Sequence, residues 1–574
     1  MAPLILAVLA AAGPSLLAYN VSPSPTFLNQ ALAFVLWGAF TAAWAQSVPQ
    51  PAWTHSLRDT APVALALALV AAAALWSWGP GGLPSSLALS AVGALAAAVV
   101  LLLAGAAARG ADSQGRAFAV FCLAWTVAGV ANVAIGAVQV FAPAWADGDW
   151  IAQSSIVGRA VGNLRQPNHL SSVLLWAAIA VIALGELGRL RRAVVAGIHA
   201  AMIFGVVLTA SRTGLVSVGV LAVWGLLDRG LSRGARALLL ASPLLYAGAW
   251  MGMAAWAEAS HHTFGGAARL AETDVSGSRF GVWSNTLALI RQNPWTGVGF
   301  GEFNFAWTLS PFPGRPVAFF DHTHNLVLQL AVELGLPLAA GITGLLLWGL
   351  VSVWRRGLAG AQVQGRAGSR EQGVAQRAAG MFVLMIGLHS LLEYPLWYAY
   401  FLLPAAWAFG YGLGRPASAA PRGSRGLAPA GVLIVVLALA SVWDYLRVVE
   451  IFEAPEDAAP LAERIARGQR SVLFSHHADY AAVTTEVGDA LREHAFDGAT
   501  HYLLDTRLMM AWAEDLARRG RLDEARHLVE RLREFHNPLA RDFLGVCERP
   551  ASGAPPFQCS KPSRDPPWRD FLPR

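Results

Sequence analysis

Asp321-His322-Thr323-His324-Asn325, followed by the apolar stretch Leu326 to Gly335, decides how this chain is read. A long polar loop meets an apolar helix at this point, and two imidazoles, an amide and a carboxylate stand beside a membrane face. An ionisable group at the centre of a bilayer costs about 3 kcal/mol on insertion scales, so a polar cluster kept at that depth is a functional-site candidate. The alternative is that the histidines merely cap a helix at the interface.

The chain has 574 residues, 55% hydrophobic and 14% charged, with 22 Trp, and a mean hydropathy of +0.46. A soluble globular chain carries about a quarter charged residues, so the composition predicts an all-α, polytopic membrane protein surrounded by lipid. The isoelectric point of about 9.5 raises the question of nucleic acid. The basic residues are nearly all Arg in short loops between apolar runs, however, so no nucleic-acid partner is expected.

A spanning helix needs about 20 apolar residues, and about thirteen such runs occur, from 4–20 to 428–446, with one over 325–354. The first run has no basic residue ahead of it and no convincing cleavage site, which predicts a retained helix over a cleaved signal peptide. Short cytoplasmic loops keep an excess of Lys/Arg. Alternate loops here carry Arg58, Arg109 and Arg116, Arg189 to Arg192, Arg229 to Arg236, Arg355 to Arg370, and Arg415 to Arg425. That pattern predicts a cytoplasmic N-terminus, with a large external loop at 256–323 inside a 1–446 transmembrane domain. The C-terminal part then lies outside too.

Within 1–142 no chemistry is evident. The next external loop holds Asp147-Gly148-Asp149, which reads either as a turn or as paired carboxylates for a hard cation. It ends in Arg165-Gln166-Pro167-Asn168-His169, with Pro167 suited to a first helical turn; this is a polar site or interfacial capping. Ser211-Arg212-Thr213-Gly214 makes a tight turn on the arginine-poor side. Arg212 there either snorkels to lipid phosphates or holds a bound phosphate.

The large loop contains an amphipathic segment from Ser276 to Gln292, bearing Arg279, Trp283 and Arg291, that suits a helix lying in the interface. Gly297-Val298-Gly299-Phe300-Gly301 is similar to a phosphate loop, but the flanking strand and Lys/Ser helix of that motif are missing. Further on, Glu393 in the turn between His389 and Tyr398 is either an orienting carboxylate or a solvated acid in an aromatic belt.

From 447 to 550 the composition turns charged and helical, and Trp512 to Ala525 has the spacing of a tetratricopeptide-like helix-turn-helix. The Pro-rich tail at 551–574 is expected to be poorly ordered. Cys122 lies in an apolar helix. Cys547 and Cys559 form either a bridge, as an oxidising compartment permits, or two unpaired thiols.

Several of these segments together resemble the bacterial O-antigen ligase and polymerase superfamily, and within it the protein O-oligosaccharyltransferases of the PglL type. His324-Asn325 and Gly335 meet the family's His, Asn/Ser/Gln, nine residues, Gly pattern, while Leu338 departs from its next element. Ser211 to Gly214, Gly277 to Trp283, Gln166 to His169 and His389 to Tyr400 also look like family segments, so the resemblance covers about 150–415.

The resemblance implies transfer of a preassembled glycan from undecaprenyl pyrophosphate to an acceptor hydroxyl at the periplasmic face of the bacterial inner membrane. The acceptor would be Ser/Thr of a periplasmic, pilin-like protein. A hydroxyl is a poor nucleophile and needs a base within hydrogen-bond reach, usually an imidazole. Charge on departing pyrophosphate is stabilised by fixed guanidiniums. His324 is therefore the expected base, and Arg212 with Arg279 the expected pyrophosphate clamp. Arg165, Gln166, Asn168, His169, Asn325, Glu393 and Tyr398 are further candidates for donor binding or support. Because pyrophosphate leaves readily and arginine neutralises it, neither metal nor cofactor is expected.

Two other readings stay open: an O-antigen ligase acting on a lipid A-core sugar, and a transporter. A transporter should show two matching halves, and no such repeat is seen.

Overall fold

The fold is taken from a computed structural model that describes residues 2–47, 53–79, 81–112, 115–267, 275–312, 314–317, 319–362, 369–416, 426–548 and 555–572. Regular structure among these residues is helical throughout. Nine of the described helices are long and apolar enough to cross a membrane, as befits a multi-pass membrane protein. Arg366, Arg422 and Arg425, counted above among the loop arginines, lie outside the described residues.

The chain divides into two compact units. Unit 1 takes in Met1–Leu67, Ala96–Thr273 and Gly344–Ala440; unit 2 takes in Ala68–Leu95, Asp274–Thr343 and Ser441–Arg574.

The helices up to the large loop are α1 (Ala2–Leu16), α2 (Phe27–Ser47), α3 (Trp53–Trp78), α4 (Ser85–Ala111) and α5 (Arg116–Phe141). They continue with α6 (Pro167–Glu186), α7 (Arg192–Thr209), α8 (Arg212–Leu227) and α9 (Arg233–Ser260). After the loop come α10 (Val275–Gln292), α11 (Phe303–Leu309), α12 (Leu326–Leu334), α13 (Leu336–Gln362), α14 (Ser369–Ser390), α15 (Ala399–Leu413) and α16 (Leu427–Phe452).

The core of unit 1 is α6, apolar on all sides and buried over 94% of its spanning window. A helix hydrophobic all round belongs at the centre of a bundle, and α5, α7 and α14 pack around this one. Lipid supplies no hydrophobic drive between helices, so close packing through small residues takes over. A Cβ on Gly105 of α4 would sit 2.0 Å from the Trp407 carbonyl oxygen, and one on Gly410 of α15 would sit 1.9 Å from that of Leu102. The two glycines thus let α4 and α15 cross backbone to backbone.

In unit 2 the apolar run expected over 325–354 is not one helix. It breaks at Gly335 (φ 77°) into α12 and α13. The glycine-rich segment causes the break: Val298 and Gly299 donate their N–H groups to the carbonyls of Val332 and Glu333 at 2.8 and 2.9 Å, and Leu336 donates to Pro294 at 2.8 Å. A Cβ on Gly297 would meet the Glu333 carbonyl oxygen at 2.3 Å. These glycines allow a close backbone pairing, which accounts for them without a phosphate ligand.

The remaining helices are α17 (Leu461–Gly468), α18 (Ser475–Thr484), α19 (Asp489–Arg492), α20 (Ala495–Ala499), α21 (Thr506–Arg518), α22 (Leu522–Phe535) and α23 (Arg541–Gly545). α21 and α22 pack on one another across Gly520 (φ 78°) through buried Leu508, Met509, Leu516, Leu528, Val529 and Leu532. α16 runs unbroken past residue 446, where a boundary was expected.

The Pro-rich tail is packed over its described part, contrary to the expectation of disorder. Trp568 and Phe571 are buried, and Arg569 donates to Asn293 Oδ1 at 2.7 Å. Cys547 and Cys559 form a disulfide with Cα atoms 5.3 Å apart, and Cys122 is a buried free thiol.

Candidate active site

The two units each hold one group of the residues singled out above. In unit 2, Asn325 caps α12: its side-chain oxygen accepts from the N–H groups of Val327 and Leu328, both at 3.1 Å, satisfying donors that a helix start leaves free. The preceding His324 is half-buried and left-handed at φ 54°, a conformation that costs a non-glycine residue on the order of 1 kcal/mol and persists only where its surroundings impose it.

Thr323 does the imposing. Its N–H donates to Gln329 Oε1 at 2.8 Å, its carbonyl accepts from Trp283 Nε1 at 2.8 Å, and its hydroxyl donates to the Asn325 carbonyl at 2.9 Å. The His324 ring packs edge-on against Phe320 at 5.4 Å. His322 turns instead to its neighbour, with Nδ1 2.9 Å from the Asp321 carboxylate.

Arg279 is half-buried on α10, one turn before Trp283 and so on the same helix face. The sequence reading missed Trp283 and Gln329 as supports for His324. A signal was present for the second: Asn325, Gln329 and Glu333 recur every four residues through an otherwise apolar helix.

In unit 1, a buried polar network gathers at the head of α6. Gln166 caps that helix by accepting from His169 N–H at 2.9 Å. Asn168 donates to Glu393 Oε1 at 3.0 Å and accepts from the Ser211 hydroxyl at 2.6 Å. Ser211 in turn caps α8, accepting from Gly214 N–H at 2.9 Å, and the next residue is Arg212, exposed in the first turn. Glu393, through Asn168, therefore holds the turn that presents Arg212.

His169 Nδ1 lies 3.1 Å from the Tyr400 hydroxyl, and the half-buried Tyr398 ring packs on His169 at 4.6 Å. His389, buried and 2.8 Å from the Ser172 hydroxyl, and Tyr400 belong to the network although neither was among the expected site residues. Arg165 stands apart, left-handed at φ 56° with its guanidinium donating to the Ala18 carbonyl. Asp147 is a turn residue: its Oδ1 accepts from the backbone N–H groups of Asp149, Trp150 and Ile151. Among the described residues no group of three His, Cys, Asp or Glu is placed to hold a metal ion.

Three family models match the chain in order: protein glycosylation ligase over residues 160–184, O-antigen ligase over 197–343, and the C-terminal part of a virulence-factor membrane-bound polymerase over 378–541. The first takes in Gln166, Asn168 and His169 at the head of α6, and the second takes in Arg212, Arg279 and His324.

Residues 197–343 of this chain are similar to the O-antigen ligase family.

Two relatives from Acinetobacter baylyi are similar to this chain. A general O-oligosaccharyltransferase is 35% identical over 133 residues, which is 23% of this chain and 21% of the relative. A ComP-specific O-oligosaccharyltransferase is 26% identical over 274 residues, 46% of this chain and 45% of the relative. The chain therefore spans less than half the length of either.

Proposed function

We propose that this protein is a protein O-oligosaccharyltransferase, moving a preassembled glycan from undecaprenyl pyrophosphate to Ser/Thr hydroxyls of a periplasmic or pilin-like protein. The observation that carries the reading is the braced His324 turn, lying inside the stretch that matches the O-antigen ligase family in a chain similar to two O-oligosaccharyltransferases.

In the proposed step the acceptor oxygen attacks the sugar C1 while its proton passes to the His324 imidazole. The C1–O bond to pyrophosphate breaks, its electron pair leaves with the pyrophosphate, and the configuration at C1 inverts. Arg212 and Arg279 take up the charge that develops on the leaving group, as guanidiniums do for phosphates. Asn168 and Glu393 set the turn before Arg212, while Gln166, His169 and Tyr398 serve the donor. Direct displacement needs no metal, because pyrophosphate is already a good leaving group.

The proposed topology has thirteen spans in the inner membrane: the nine long apolar helices, the shorter α1, α8 and α15, and α14. The arginine-bearing loops face the cytoplasm; the large loop and the α17–α23 module, with its single tetratricopeptide-like pair, face the periplasm. Expression with a lipid-linked glycan pathway and candidate acceptors tests the proposal. Glycan on a periplasmic protein is the expected result, whereas glycan on lipid A-core alone would make the protein a ligase.

A further inference from the structure

We propose that Gln329 and Glu333 are positioning residues for His324, clamping the left-handed turn that presents the imidazole; the inference rests on His324 being the base. Both side chains are buried, at 3% and 5% exposure, in a helix that is otherwise apolar. Gln329 lies one turn into α12 from Asn325. Its Oε1 accepts from Thr323 N–H at 2.8 Å, and its Nε2 donates to Glu333 Oε1 at 2.9 Å. The N–H of Gly301, in the glycine-rich segment paired with the end of α12, faces the Glu333 carboxyl.

The result is one chain of hydrogen bonds from Glu333 through Gln329 to the residue before His324. A buried polar group without a partner costs about 1–3 kcal/mol, so two such groups inside a short apolar helix need a reason, and each link here is satisfied. Burial pushes the Glu333 carboxyl up to about 7, against the Gly301 N–H, the nearby His322 and the Gln329 amide. Either protonation state keeps an oxygen that accepts from Gln329, so the clamp survives titration of Glu333. Nothing in the chemistry of transfer uses either residue directly. Their effect passes through the backbone at Thr323 and is felt where His324 must meet an acceptor hydroxyl within hydrogen-bond reach.

Swapping the two groups separates positioning from mere packing. Gln329→Glu sets two buried carboxyls face to face and breaks the clamp. The double variant Q329E/E333Q rebuilds it, with Thr323 N–H and the new amide both donating to the carboxylate at 329. For purified protein acting on a lipid-linked donor, Gln329→Glu should lower kcat about 10- to 100-fold, the scale expected when a catalytic group is misplaced by about 1 Å. KM for the acceptor should change by no more than about twofold, and the double variant should recover most of kcat. Wild-type kcat in Gln329→Glu, or a folded double variant as slow as the single, would overturn the proposal. His324→Ala is measured alongside: if it is inactive while Gln329→Glu is unimpaired, only the positioning role fails, whereas if it turns over normally the base assignment itself fails.

Discussion

Glu302 and His501 are joined by a 2.6 Å hydrogen bond between two side chains that are 2% and 1% exposed. The pair ties the glycine-rich turn ahead of α11 to the helices after α16. Phe305 stacks on the same imidazole at 4.3 Å. Removing one partner leaves the other buried without its hydrogen bond, at a cost of about 1–3 kcal/mol. His501→Ala should therefore lower the unfolding temperature of the detergent-purified protein by several degrees. Glu302→Gln, which keeps an oxygen for a bond, should lower it less.

His324→Ala should abolish glycan transfer while expression and membrane insertion stay normal. His322→Ala should do far less, because that ring pairs with the neighbouring Asp321. Glycosylation of an acceptor protein in cells, read by its gel shift and by mass spectrometry, compares the two. Equal loss from both variants would sink the assignment.

Arg212→Lys and Arg279→Lys keep a positive charge but lose the planar fork that grips a pyrophosphate in two places. Each should lower transfer about tenfold or more, on the scale of the 1.5–3 kcal/mol of a hydrogen bond to a charged group. Activity that survives lysine at both positions but disappears with EDTA would move the clamp to a metal ion.

His477 is buried in α18 against His476 and Tyr502, and burial pushes its imidazole down to about 4. The unfolded chain takes up a proton near pH 6.5 and the folded module does so only near 4, so stability is full above about 6.5 and falls as the pH drops towards 4. At pH 5 the loss amounts to about 2 kcal/mol from this residue. Limited proteolysis at pH 7 and pH 5 should show the module opening at the lower pH. His477→Phe should flatten the difference.

Cys547 and Cys559 should appear as one linked peptide in a non-reducing map of protein purified with thiols blocked, as their bridge in the structure requires. Disulfides persist outside the cytosol, so the linked peptide supports the periplasmic placement. Free thiols together with a cytoplasmic reporter signal at residue 574 would overturn the thirteen-span topology.

Local chemistry was enough to read much of this protein. Long apolar runs can only be helices in a membrane, since no water is there to satisfy a backbone left unpaired, and the runs at 27–45, 85–108, 116–142, 168–186 and 193–210 formed α2 and α4 to α7 within a few residues of those bounds. His324-Asn325 was legible as a helix start because a short polar side chain ahead of an apolar turn caps it. What the sequence left undecided depended on partners far away along the chain. Gly335 sits in a continuous apolar run and breaks it only because the backbone of 294–299 returns to pair there. Asn168 and Glu393 are 225 residues apart, and a hydrogen bond between them leaves no periodicity to read. The Pro-rich tail has the composition of a disordered segment. Its order comes from Trp568 and Phe571 entering a buried site, and from Asp565 and Arg569 meeting His527 and Asn293, contacts that exist only once the helices have been brought together.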